Sequence, residues 1–133
     1  MTDGRRSWRG SRSFYPVMAL LGIFLVLALA RRARQTVPFT PGGWANHDSS
    51  TVAGLSVRQR MLADFLEHHH LEGLTRDSVT LLLGAPEHEG RFHTWDLAYW
   101  LGPERTLFGD GTEWLVIRFD AEGRVSQHDI KTD

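Results

Sequence analysis

An uninterrupted apolar run from Val17 to Ala30 (VMALLGIFLVLALA) splits this chain into two unlike parts. Arg5, Arg6, Arg9 and Arg12 precede it, and Arg31, Arg32 and Arg34 follow at once. With Phe14, Tyr15 and Pro16 the run is 17 residues. A helix of that length rises about 25 Å, at the lower edge of what crosses a bilayer core of about 30 Å. Flanking arginines extend the reach by snorkelling to the interface. The expectation is a basic head and single-pass transmembrane signal anchor over 1–34, spanning the cell membrane at 14–30. The slight excess of arginine before the run places the N-terminus inside and the rest of the chain outside the cytoplasm. The alternative is a cleaved signal peptide with Ala28-Leu29-Ala30 as its small-residue site, which releases an exported soluble binding or inhibitory module. Arg31, directly after that site, favours the anchor. A buried core helix fits least, because arginine studs both ends.

The charge divides at the same place. Residues 1–34 hold seven Arg and one Asp, net +6; residues 35–133 hold eight basic and 15 acidic side chains, net −7. An acidic body excludes a nucleic-acid binder, which needs a basic face to displace counterions. A 41% hydrophobic and 23% charged composition is that of a globular chain rather than a disordered one. The chain has no Cys, which removes disulfides, thiolate metal sites, thiol nucleophiles and a lipid-modified cysteine.

Residues 35–55 are rich in Pro, Gly and small polar side chains and show no period, so they read as a linker. From Ser56, an N-cap residue, Val57, Met61, Leu62, Phe65 and Leu66 form a helical stripe. Three histidines, 68–70, and Gly73 end it. Thr75 caps a second helix with Asp77 in its first turn, and Gly84 and Pro86 stop it. Beyond Pro86 the period changes to 2. In 91–101, Trp95, Leu97, Tyr99 and Leu101 share one face and Phe92 and Trp100 the other. In 113–120, Leu115, Ile117 and Phe119 oppose Trp114, Val116 and Arg118. A turn at Asp120–Gly123 leads to a third strand, 124–130. The expected fold is α+β: the transmembrane helix, then over 56–133 two helices packed on a three-stranded antiparallel sheet.

The segment LEGLTRDSVTLLLGAP, Leu71 to Pro86, reads L-x-G-L-T-x-x-x-V-x-x-L-L-G-x-P. Strand segments LAYW (97–100), WLVIRFD (114–120) and GRV (123–125) follow it. Together these resemble the SmpA/OmlA-like (BamE-type) small lipoproteins. The resemblance covers roughly 56–130 and implies an α-α-β-β-β domain, similar in architecture to a repeat of the β-lactamase-inhibitor proteins. It also implies an extracytoplasmic, membrane-associated, non-catalytic domain that binds a cell-envelope protein partner, with a role in envelope assembly or maintenance. Those lipoproteins carry an acylated Cys after the signal, and this chain has none.

No catalytic, cofactor or metal site is expected. His68, His69 and His70 are consecutive, so on a helix they point about 100° apart, whereas a helical zinc pair needs an i, i+4 spacing. His88, His93 and His128 have no regular spacing. Asp110 and Asp120 sit among glycines as turn residues. Gly109-Asp110-Gly111 lacks the Lys-Ser/Thr of a phosphate loop. No nucleophile–base pair stands out. The aromatic residues Trp95, Tyr99, Trp100, Phe108 and Trp114 exceed what one helix-covered sheet face absorbs, so they are the candidate partner-binding residues. The competing reading is that they fill a small core that needs large side chains.

Overall fold

The computed structural model describes residues 14–48, 50–52, 54–106 and 109–133. The chain divides into two compact units between Gln35 and Thr36.

In the first unit, α1 runs over Phe14–Gln35. Among the described residues, no helix is long and apolar enough to cross a membrane. This overturns the transmembrane signal anchor at 14–30. The single-pass location in the cell membrane, the membrane as partner and the extracytoplasmic placement fall with it. The physical reason is length. The unbroken apolar part of α1, Val17 to Ala30, has 14 residues. It rises about 21 Å at about 1.5 Å per residue, short of a bilayer core of about 30 Å.

The second unit begins with structure in the segment expected to be a linker. Thr40 caps α2 (Pro41–Ala45): its Oγ1 accepts from Gly43 N–H at 3.1 Å, and Pro41 opens the helix where its missing N–H costs nothing. Trp44 is fully buried, 0% exposed. A short hairpin follows, β1 (Thr51–Val52) paired with β2 (Leu55–Ser56) around Gly54 at φ 79°. Ser56 then caps α3 (Val57–His68) with a reciprocal box. Gln59 N–H donates to Ser56 Oγ at 3.1 Å, and Ser56 N–H donates to Gln59 Oε1 at 3.0 Å. Thr75 caps α4 (Arg76–Leu83), and Gly84 closes it at φ 78° with its N–H on the Thr80 carbonyl at 2.8 Å.

The main sheet has four antiparallel strands in the order β3 (His88–Glu89), β4 (Leu97–Pro103), β5 (Thr112–Phe119), β6 (Val125–Thr132). The expected three-stranded sheet is therefore corrected to four strands plus a separate two-stranded hairpin, and α2 is added to the N-terminal helix and the two domain helices that were expected. Two-residue strands such as β3 are too short to display an alternation, which is why their pairing left no periodic signal. Asp120 builds the β5–β6 turn: its Oδ1 accepts from Glu122 and Arg124 N–H at 3.0 and 2.9 Å, with Gly123 at φ 75°.

One core joins Trp44, Met61, Leu62, Phe65, Val79 and Leu83 from the helices to Leu97, Tyr99, Leu101, Leu115 and Ile117 from one sheet face. At the β4–β5 bulge between Trp100 and Gly102, the strand presses against the capping box of α3. A Cβ on Gly102 would lie 2.5 Å from Gln59 Oε1 and 3.0 Å from Ser56 Oγ, so any side chain there forces the capping box to shift. Ser56 also donates its hydroxyl to the Leu101 carbonyl.

Candidate functional site

The sheet face opposite that core carries a second apolar cluster. Strand register aligns Trp100 with Trp114 and Lys131, Ala98 with Val116 and Asp129, and Arg118 with Gln127. The cluster consists of Trp95, Ala98, Trp114 and Val116, with Phe92 and Trp100 partly buried beside them. No residue of α2, α3 or α4 belongs to it. Trp95 is nevertheless only 8% exposed, Trp114 6% and Val116 0%. The rings cover the small residues, and cations cover the rings. Arg118 lies 4.7 Å and Lys131 5.7 Å from the Trp95 ring centroid; Arg91 lies 4.5 Å from that of Trp114. These are cation–π distances.

Carboxylates hold two of these cations, Arg91 and Lys131, in place. Arg91 donates to Asp133, whose Oδ1 also accepts from Trp114 Nε1 at 3.2 Å. The Arg91 hydrogen bond keeps the Asp133 carboxyl below its ordinary range. Lys131 pairs with Asp129 at 2.6 Å, and its hydrogen bond lowers that carboxyl too. The result is a sheet face of Trp, Arg and Lys, the residue types enriched at interface anchors being Trp, Tyr and Arg.

The structure separates the five candidate aromatics. Trp95, Trp100 and Trp114 come together on this outer face. Trp95 was expected beside Leu97, Tyr99 and Leu101. It instead precedes β4 in a turn, where its N–H bonds the Phe92 carbonyl at 2.8 Å, and the alternation starts only at Leu97. Tyr99 lies in the helix-covered core, and its hydroxyl donates to the Gly84 carbonyl at 3.0 Å. Burial pushes its phenol pKa well up. Phe108 lies outside the described residues. Sequence reasoning missed Arg91 and Lys131. The alternation in 113–120 had already put Arg118 on the face of Trp114 and Val116.

A buried cation sits on the other side of Trp100. Arg58 is 2% exposed. Its Nε donates to the Trp44 carbonyl at 2.9 Å, and Nη1 donates to Glu87 Oε1 at 2.7 Å and the Trp100 carbonyl at 2.8 Å. Glu87 Oε2 accepts in turn from Trp100 N–H at 2.9 Å. Desolvation lowers the Arg58 pKa, against the opposing pull of Glu87. The His47 ring lies tilted against the Trp100 ring, centroids 5.4 Å apart, and 3.7 Å from Glu87. Burial, then the Arg58 charge, hold His47 below the usual histidine value. Nearby, Glu113 accepts from Gln59 Nε2 at 3.1 Å and from Arg105 Nε at 3.0 Å. Arg58 is thus joined to Glu87, and Glu113 to Gln59 and Arg105, and these side chains include no nucleophile–base pair.

The histidine triplet closes α3. His68 Nδ1 lies 3.0 Å from the Asp64 carbonyl, and that bond with the Asp64 charge raises its pKa. His69 stacks on Phe65 at 5.2 Å. Among the described residues, no group of three His, Cys, Asp or Glu side chains could hold a metal ion. Comparison with family models, with curated proteins and with solved structures finds no match to this chain.

Proposed function

We propose that residues 36–133 form a non-catalytic protein-binding domain that docks its partner on the outer sheet face. The observation that carries this reading is the cluster of Trp95, Trp114 and Trp100, with Arg91, Arg118 and Lys131 over the first two rings and no residue of α2–α4 in it. Tryptophan and arginine dominate interface hot spots because large rings and planar guanidiniums bring much contact area with few torsions to freeze. The non-catalytic part rests on the interior polar groups, which are engaged with one another around Arg58 and Gln59. Kinship with the SmpA/OmlA-like proteins is part of the same proposal. It is supported by the motif from Leu71 to Pro86, in which Thr75 and Gly84 bound α4. The four-stranded sheet and the missing Cys set this chain apart from that pattern.

The test is site-specific photocrosslinking in cells. A crosslinker at Gln127, on the outer face, should yield a discrete adduct that one at Glu67, on α3, does not. Trp100→Ala and Trp114→Ala, checked for folding by urea titration, should abolish it. Identical adducts from both positions, or adducts indifferent to both substitutions, would sink the proposal.

A further inference from the structure

We infer that the cleft at the Trp95 end of the outer face, where Arg76 and Arg118 stand over Phe119 and Trp95, binds a carboxylate: an acidic side chain of the partner segment. This rests on the reading of the outer face as a docking surface. The cleft has a volume of about 600 Å³ and lies between the start of α4, the end of β3 with the 90–96 connection that follows it, and the end of β5.

Two guanidiniums line it. Arg76 lies 4.7 Å from the Phe119 ring centroid, and Arg118 lies 4.7 Å from that of Trp95. A guanidinium stacked on a ring keeps its N–H groups in its own plane, free to donate edgewise as a fork that matches a carboxylate. Arg118 uses Nε on the Thr94 carbonyl at 2.7 Å. Among the described residues, no carboxylate forms an ion pair with it. Arg76 has only Glu89, at 3.9 Å, and both side chains are largely exposed (48% and 71%). Such a pair is weak and exchangeable. His93 also lines the cleft.

The acids in the cleft set the ligand's charge. Asp96 is committed, its Oδ2 accepting from Phe119 N–H at 2.8 Å, and Glu89 is the group a ligand would displace. Either anion would displace Glu89 and face Asp96, and the repulsion is about twice as large for a dianion such as phosphate as for a single carboxylate. A single carboxylate is the charge the two guanidiniums can hold there. The source is a protein segment rather than a free anion because Trp95 belongs both to the cleft and to the aromatic cluster. A chain lying across Trp114 and Trp95 delivers its acidic side chain here.

The experiment is an NMR titration of the ¹⁵N-labelled full chain with hexaglutamate, hexaglutamine and inorganic phosphate. Hexaglutamate should produce saturable shifts at Arg76, Arg118 and the Trp95 indole, and hexaglutamine none. Arg118→Gln or Arg76→Gln should weaken binding roughly tenfold, the size of one lost charged hydrogen bond. Glu89→Gln should tighten it, and Arg118→Lys, which keeps the charge but loses the fork, should fall between. Phosphate binding as tight as hexaglutamate would make this a free-anion site and overturn the proposal. Shifts spread equally over Arg105 and Arg124, or no shifts at all, would overturn it too. Hexaglutamate bound here while Trp100→Ala and Trp114→Ala leave crosslinking intact would uphold the cleft and remove the docking face. Crosslinks lost in those Trp variants, with both Arg→Gln variants still binding hexaglutamate at full strength, would do the reverse.

Discussion

On the inner face of the sheet, Leu97, Tyr99, Leu101, Leu115 and Ile117 are buried in one core with side chains from three helices. On the outer face, Trp95, Trp114 and Val116 are nearly as buried with no contribution from α2–α4. The inner face excludes water by packing a second layer against it. The outer face does so by clustering its own rings and roofing them with Arg91, Arg118 and Lys131. Low exposure therefore means different things on the two sides. Inner side chains are locked by neighbours that cannot leave. Outer rings are shielded by long, charged side chains that a partner can push aside.

Stability measurements can break or sharpen this contrast. The largest effect is expected for Trp44→Ala, which opens a cavity in the inner core and should cost about 3–5 kcal/mol in urea unfolding. Trp114→Ala removes a ring of equal size from a face where solvent fills the space, so the cavity part is missing and about 1.5–3 kcal/mol is expected. Equal losses for the two would end the distinction. Gly102→Ala probes the seam where β4 meets α3. Its methyl collides with Gln59 Oε1, and overpacking should cost about 1–3 kcal/mol. An unchanged urea midpoint would show that the capping box yields freely. The smallest mutational effect is Arg118→Gln: about 0.5–1 kcal/mol for the lost cation–π contact. A larger loss would make the roof part of the fold rather than a removable cover.

A pH series gives a directional test. The folded state holds His47 below its ordinary value, so its contribution is present above the unfolded histidine pKa and is lost as pH falls through the folded one. Urea midpoints should drop on acidification below about pH 6.5, and His47→Gln should flatten the drop. His68 is shifted upward by Asp64, so its contribution is present at low pH and is lost as pH rises through its folded value. His68→Gln should steepen the drop. Parallel curves for both variants would contradict the assignments.

Features written in neighbouring residues were legible in the sequence. Ser56, Thr75 and Gly84 bound α3 and α4 because caps and stops are local chemistry. The alternation in β5 placed Leu115, Ile117 and Arg118 on their observed faces. What depended on distant partners was not legible. Trp44 sits in a stretch without periodicity and enters the core by tertiary contact with Phe65 and Arg58. Trp95 looked continuous with β4, yet the turn from Phe92 moved it across the sheet. For the apolar run of α1, composition suggested a span that length does not support. On the outer face the tryptophans were visible. Their roof was not, because Arg91 and Lys131 meet the rings only once the strands align.

Arg58 carries a consequence for how the domain comes apart. Its three carbonyl and carboxylate partners lie 14, 29 and 42 positions away along the chain. None of those bonds can form until sizeable loops have closed, so the guanidinium stays hydrated through much of the search for the native arrangement. Contacts made that late weigh little on the speed of folding and heavily on the barrier to escape. In stopped-flow chevrons, loss of Arg58 should steepen the rate of unfolding while leaving the refolding arm almost where it was. The buried cation would then act as the latch on the native domain's lifetime.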